Sequence, residues 1–110
     1  MKSVFVLVLA LVVLVSTAPV SMAADAAAGK AIYSKKCANC HGPSGEGKES
    51  VAKMLKIELK HLGAKEVQAK SDAELQRIIL KGDGKMKVVA GIDAKGADDV
   101  IAYVRTLAKK

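Results

Sequence analysis

The run Cys37-Ala38-Asn39-Cys40-His41 constrains this chain more than any other feature of it. Two cysteines with two residues between them, and a histidine next in line, have the spacing of covalent haem attachment. On one helical turn the side chains at i and i+3 face the same way, so two thiols can reach the two vinyl groups on one porphyrin edge. The imidazole that follows then sits under the iron as proximal ligand. Three other readings compete for the same residues. Half of a zinc site is one, but the chain has no second cysteine pair and His61 is its only other histidine, so four ligands are hard to assemble. A redox CxxC belongs beside a βαβ pattern, and no run of β-branched strands flanks this one. A plain disulfide here would close only a tiny loop and stabilise very little.

The chain opens with a segment that reads as an export signal. Lys2 supplies a positive start and Val4 to Val15 is an uncharged apolar run. Pro19 then breaks the run, and Ser21-Met22-Ala23 offers small residues at the two positions a signal peptidase reads. The run falls short of the ~20 residues that span a bilayer, so cleavage after Ala23 is expected rather than anchoring. This gives a signal peptide over 1–23 and one domain over 24–110, delivered to the periplasm or to another exported compartment such as a thylakoid lumen.

That domain has two tyrosines, no Phe and no Trp. So small a core buries too little surface to be comfortable without a staple, and a covalent haem would be one. The formal charge is +7, one unit of it from Lys2, and two ionised haem propionates would lower it further. The lysines are scattered and no aromatic platform accompanies them, so nucleic acid is not an expected partner. A solvated surface accounts for most of them. A subset can form a docking face for an acidic redox partner.

Five stretches of the domain read as helix or loop. Asp25 can cap a helix that runs through Ala26-Ala27-Ala28 to an apolar face at Ile32 and Tyr33. Gly29 inside it costs about 1 kcal/mol against Ala, which close approach of another helix would explain. Gly42 to Lys48 is loop. Residues 51–69 fit neither period, and a short helix with irregular flanks is expected there. Ser71-Asp72-Ala73-Glu74 has the form of a capping box, opening a helix with Leu75, Ile78 and Ile79 on one side and a stop at Gly82. A last helix runs from about Ala94 to Ala108, capped by Asp93. Asp98 and Asp99 sit near its positive end. Val100, Ile101, Val104, Leu107 and Ala108 form a stripe along it, which reads as core rather than as a cofactor box, packing on the first helix and closing a haem crevice.

Gly29-x-x-x-Tyr33-x-x-x-Cys37-x-x-Cys40-His41, a Gly-rich loop carrying Met86, and a late Ala102-Tyr103-Val104-Arg105 helix together resemble a class I monohaem cytochrome c of the small bacterial type. The resemblance spans nearly all of 24–110 and is weakest over 50–70. It implies an all-α fold of a few helices around one covalent haem c, with Cys37 and Cys40 as thioether positions and His41 as proximal iron ligand. It implies Met86 as distal ligand, with Met54 and His61 the other candidates, and a crossing of the first helix on the last near Tyr103. It also implies an electron carrier rather than an enzyme, a monomer, and redox proteins as partners with no small-molecule substrate. The alternatives are a haem enzyme or gas sensor with an open sixth position, and a haem-free thiol or zinc module. Two departures stand out. Family members often carry a proline beyond the motif whose carbonyl holds the proximal imidazole, and no proline follows Pro43 here; another acceptor is expected to orient His41. Lys87 also follows Met86 where proline is common.

Overall fold

In the computed structural model, which describes residues 23–109, the first helix begins where a side chain can cap it. The export segment read over 1–23 lies outside the described residues except for Ala23. Helix α1 is Ala26–Lys36, and the Asp25 carboxylate accepts from the Ala27 and Ala28 N–H groups. Lys35 and Lys36 fall in its last turn, where cations suit the dipole. A one-turn helix α2, Ala38–His41, follows at once, then α3 (Glu49–Leu55) and α4 (Lys65–Gln68). Helix α5 is Asp72–Lys81 and α6 is Ala94–Thr106. Among the described residues there is no β-strand, only an antiparallel bridge between Asp83 and Met86. No described helix is long and apolar enough to cross a membrane.

The caps follow local chemistry with one difference. Ser71 accepts from the Glu74 N–H at 3.1 Å and Asp93 from the Gly96 N–H at 2.8 Å. The Glu74 carboxylate does not complete a reciprocal box; it lies 3.7 Å from the Lys70 ammonium instead. Helix α5 stops at Gly82, whose φ of 80° is ordinary only for glycine. Helix α6 ends at Thr106, two residues before the expected Ala108.

Helix α1 packs chiefly on α6, and Gly29 is the reason it can. A Cβ at Gly29 would stand 1.8 Å from the Asp99 carbonyl oxygen, so no other residue admits this approach. The crossing thus falls at Asp99–Val100, one turn before Tyr103. Tyr103 instead stacks at a tilt on Tyr33, with ring centroids 5.1 Å apart. Asp99 is more than a dipole partner. Its buried carboxylate accepts the Asp25 N–H at 2.8 Å and pairs with Lys95, which clips the start of α1 to α6. The Asp25 N–H, and then Lys95, hold that carboxyl below the usual range against the opposing effect of burial.

The core is the meeting of α1, α5 and α6: Leu75, Ile79, Ala97, Val100, Ile101 and Val104 form one buried cluster. The stretch between α3 and α5, which has no clean period, is placed by polar ties. Gln68 donates through Nε2 to the Leu62 and Val104 carbonyls. Arg105 donates to the Gln68 and Lys70 carbonyls at 2.8 and 2.7 Å and pairs with Asp72 at 2.7 Å. Leu62 and Val67 are thereby brought against the cluster.

Candidate functional site

Cys37 ends α1 and caps α2, and the next four residues wrap back on it. The Cys40 and His41 N–H groups both donate to the Cys37 carbonyl, at 3.2 and 3.0 Å, and Gly42 N–H donates to Ala38. The two thiols therefore stand on one turn, as the spacing predicts. Both are free; Cys37 is half-buried and Cys40 exposed. Burial, with Cys40 adding to it, pushes the Cys37 thiol up to about 11.

An apolar cavity opens beside this turn. Tyr33, Cys37 and His41 form one side of it, and α6 contributes Val100, Ile101 and Val104. Helix α5 gives Leu75, Ile78 and Ile79, and Leu62, Val67 and Met86 complete the wall. Val100, Ile101 and Val104 belong to the core cluster as well, so the α6 stripe packs as core and closes the cavity at once. In a domain this thin, one layer of side chains has a helix on one side and the cavity on the other.

Met86 reaches the wall from a tight turn. The Asp83 and Met86 backbones exchange two hydrogen bonds of 2.9 Å, with Gly84 at φ 54° between them. Val89 N–H then donates to the Ile79 carbonyl and ties the loop to α5. Met54 is 72 % exposed and lines no part of the cavity. His61 is also outside it, its Nδ1 accepting from the Gly63 N–H at 2.8 Å.

The wall fits a flat apolar group that carries a metal. Its polar members are few, and the Tyr33 hydroxyl is already satisfied by the Gly42 carbonyl at 2.6 Å. The His41 Nδ1 atom is buried with no hydrogen-bond partner, so the expected replacement acceptor for the missing proline is not present among the described residues. Burial also lowers the His41 pKa, which keeps the ring neutral and a lone pair free for a metal. A neutral imidazole, a thioether and two free thiols around an apolar hollow are a donor set for covalent haem, with Cys37, Cys40, His41 and Met86 as the residues that would hold it.

Sequence reasoning missed three contributors. Leu62 and Val67 lie in the stretch without periodicity, and Tyr33 was expected beside Gly29 rather than in the cavity wall. Only Tyr33 had a usable signal, since it lies one helical turn before Cys37 on the same helix.

Comparison with known proteins agrees with this geometry. The family described as cytochrome c oxidase, cbb3-type, subunit III matches residues 24–104. Cytochrome c-554(547) of Halothiobacillus neapolitanus is 32 % identical over 90 residues, covering 77 % of this chain and 99 % of that protein. Among solved structures, the c-type cytochrome KustC0563 superposes with a TM-score of 0.63 at 21 % identity, over 74 % of this chain and 98 % of that one. The chain belongs to this cytochrome c family. It is a small, all-α, monohaem c-type cytochrome, and its cofactor is covalently bound haem c.

Proposed function

We propose that this cytochrome is an exported electron carrier, freed from its leader after Ala23 and working in the periplasm or an equivalent compartment. Cys37 and Cys40 would carry the thioethers, and His41 and Met86 would ligate the iron. The observation that supports this most is that the His41 imidazole and the Met86 thioether belong to the wall of one apolar cavity, while Met54 and His61 do not. When bound there, haem supplies a one-electron ferric–ferrous couple. The chain's residues set its conditions. With both side chains as ligands the iron would offer no position to a substrate, and His/Met ligation would raise the potential relative to other sets. Leu, Ile and Val side chains exclude water from the cavity, which disfavours the more highly charged oxidised state. Carbon monoxide added to the ferrous protein is expected to leave the visible spectrum unchanged. A shifted Soret band would mean an open sixth position and favour a haem enzyme or gas sensor.

The partner in this reading is a redox protein with an acidic face. Cys40 is exposed, so one edge of the attachment turn reaches the surface. Lys35, Lys36, Lys85 and Lys87 are all exposed and flank the two segments that carry Cys37 and Met86. Lys36 reaches the loop after Met86, its Nζ lying 3.1 Å from the Cβ position of Gly91. Brief encounters of this kind rely on charge to steer approach. Association with the physiological reductase should slow markedly as salt rises to physiological strength, where the screening length is about 8 Å. Charge reversal at Lys85 and Lys87 should slow it further without altering the absorption spectrum. A rate indifferent to both changes would place docking elsewhere.

A further inference from the structure

A ligating histidine ordinarily has its second ring nitrogen held by an acceptor, and here Nδ1 of His41 has none. The backbone around the ring is tied instead. The His41 N–H donates to the Cys37 carbonyl at 3.0 Å, and the Gly47 N–H donates to the His41 carbonyl at 2.7 Å. The next carbonyl, that of Gly42, accepts the Tyr33 hydroxyl at 2.6 Å. That carbonyl also accepts the Gly45 N–H, but at 3.3 Å, so the phenol bond is the shorter of its two ties. The Gly42 φ of 80° lies where glycine is free to move, so the helix does not fix the direction of its peptide.

Tyr33 is well placed to supply a fixed point. It is 1 % exposed, stacks on Tyr103, and sits on the helix locked to α6 through Gly29. Its ring lines the same cavity as His41. Burial, foremost among several causes, pushes its phenol up to about 12, so the proton needed for donation stays in place across the physiological range.

We propose that Tyr33 is the positioning residue for His41: its hydroxyl holds the Gly42 peptide, and through it the imidazole, in place of an acceptor at Nδ1. This rests on His41 being the proximal iron ligand. The unpaired Nδ1–H makes the ring a poorer donor than a hydrogen-bonded imidazole, and no hydrogen bond to the ring itself fixes its orientation.

The test uses the ferric holoprotein and reads the hyperfine-shifted proton resonances of the haem methyls and the His41 ring, together with the reduction potential. Tyr33→Phe keeps the ring and the cavity wall but removes the hydroxyl. It is expected to displace the methyl pattern and to shift the potential. Tyr103→Phe, which leaves the Gly42 bond intact, is expected to keep both as in the wild type. Should Tyr33→Phe fail to fold, 3-fluorotyrosine incorporated into the Tyr103→Phe protein supplies a stronger donor at position 33, and a methyl pattern displaced from that of the Tyr103→Phe parent is expected. A pattern and potential unchanged by these substitutions, whatever happens to the melting temperature, would overturn the proposal and leave Tyr33 a packing residue. The wild-type spectrum separates this from failure of the parent reading: absent hyperfine-shifted His41 resonances would show that His41 does not bind iron, and both would fall.

Discussion

A chain with alanine at both Cys37 and Cys40 is expected to accumulate almost no folded domain. Among the described residues the buried apolar ones are only Tyr33, Leu75, Ile79, Ala97, Val100, Ile101 and Val104. Six of them, all but Ala97, have to pack against other helices and face the cavity at once. Without covalent haem, that hollow is left between α1, α5 and α6. Each unfilled Å³ costs about 24 cal/mol by the cavity relation. A domain of this size has only about 5–10 kcal/mol of stability to lose. The wild-type chain should show an intact mass one haem above its polypeptide, and acid-acetone should not extract the group. The doubly substituted chain should show the bare polypeptide mass, with most helical circular dichroism gone. Single substitutions keep one thioether and should fall between. If the double variant melted cooperatively near the wild-type temperature, the idea that haem completes the core would fail.

Much of this arrangement could be read from local chemistry, because much of it is built locally. The turn at 37–41 follows from residue spacing, the caps at Asp25, Ser71 and Asp93 from short polar side chains, and the stop at Gly82 from its backbone freedom. Gly29 was legible as a close approach because its helix cost demanded a reason. What stayed hidden depends on partners far along the chain. Asp99 looks like a dipole residue until Asp25, 74 positions away, donates to it. Leu62 and Val67 have no periodicity because Gln68 and Arg105 place them through backbone carbonyls rather than through an apolar stripe. The empty acceptor position at His41 Nδ1 was half legible: the missing proline was visible, but its absence without replacement required the packing to be known.

Met86→Ala is expected to change the haem's far side completely while leaving the fold largely intact. The thioether comes from a turn that is set before any ligand arrives. Asp83 and Met86 exchange two backbone bonds, and a Cβ at Gly82 would meet the Met86 carbonyl oxygen at 2.8 Å. The Val89 bond to Ile79 anchors the other end of the loop. None of these contacts uses the methionine side chain, so alanine can occupy the same backbone. With Met86 as the proposed distal ligand, binding by sulfur would cost little ordering of the loop, and its loss would remove one ligand without a second to replace it. The ferric variant should lose the weak near-infrared charge-transfer band of sulfur on iron. The ferrous variant should bind carbon monoxide, and the potential should fall as the His/Met set is lost. Met54→Ala should do none of this, because Met54 is 72 % exposed and outside the cavity. His61→Ala should keep the band as well, since the His61 Nδ1 is engaged with the Gly63 N–H. If either of those substitutions removed the sixth ligand while Met86→Ala left it in place, the loop from Gly82 to Lys87 would not be the distal arm of this cytochrome.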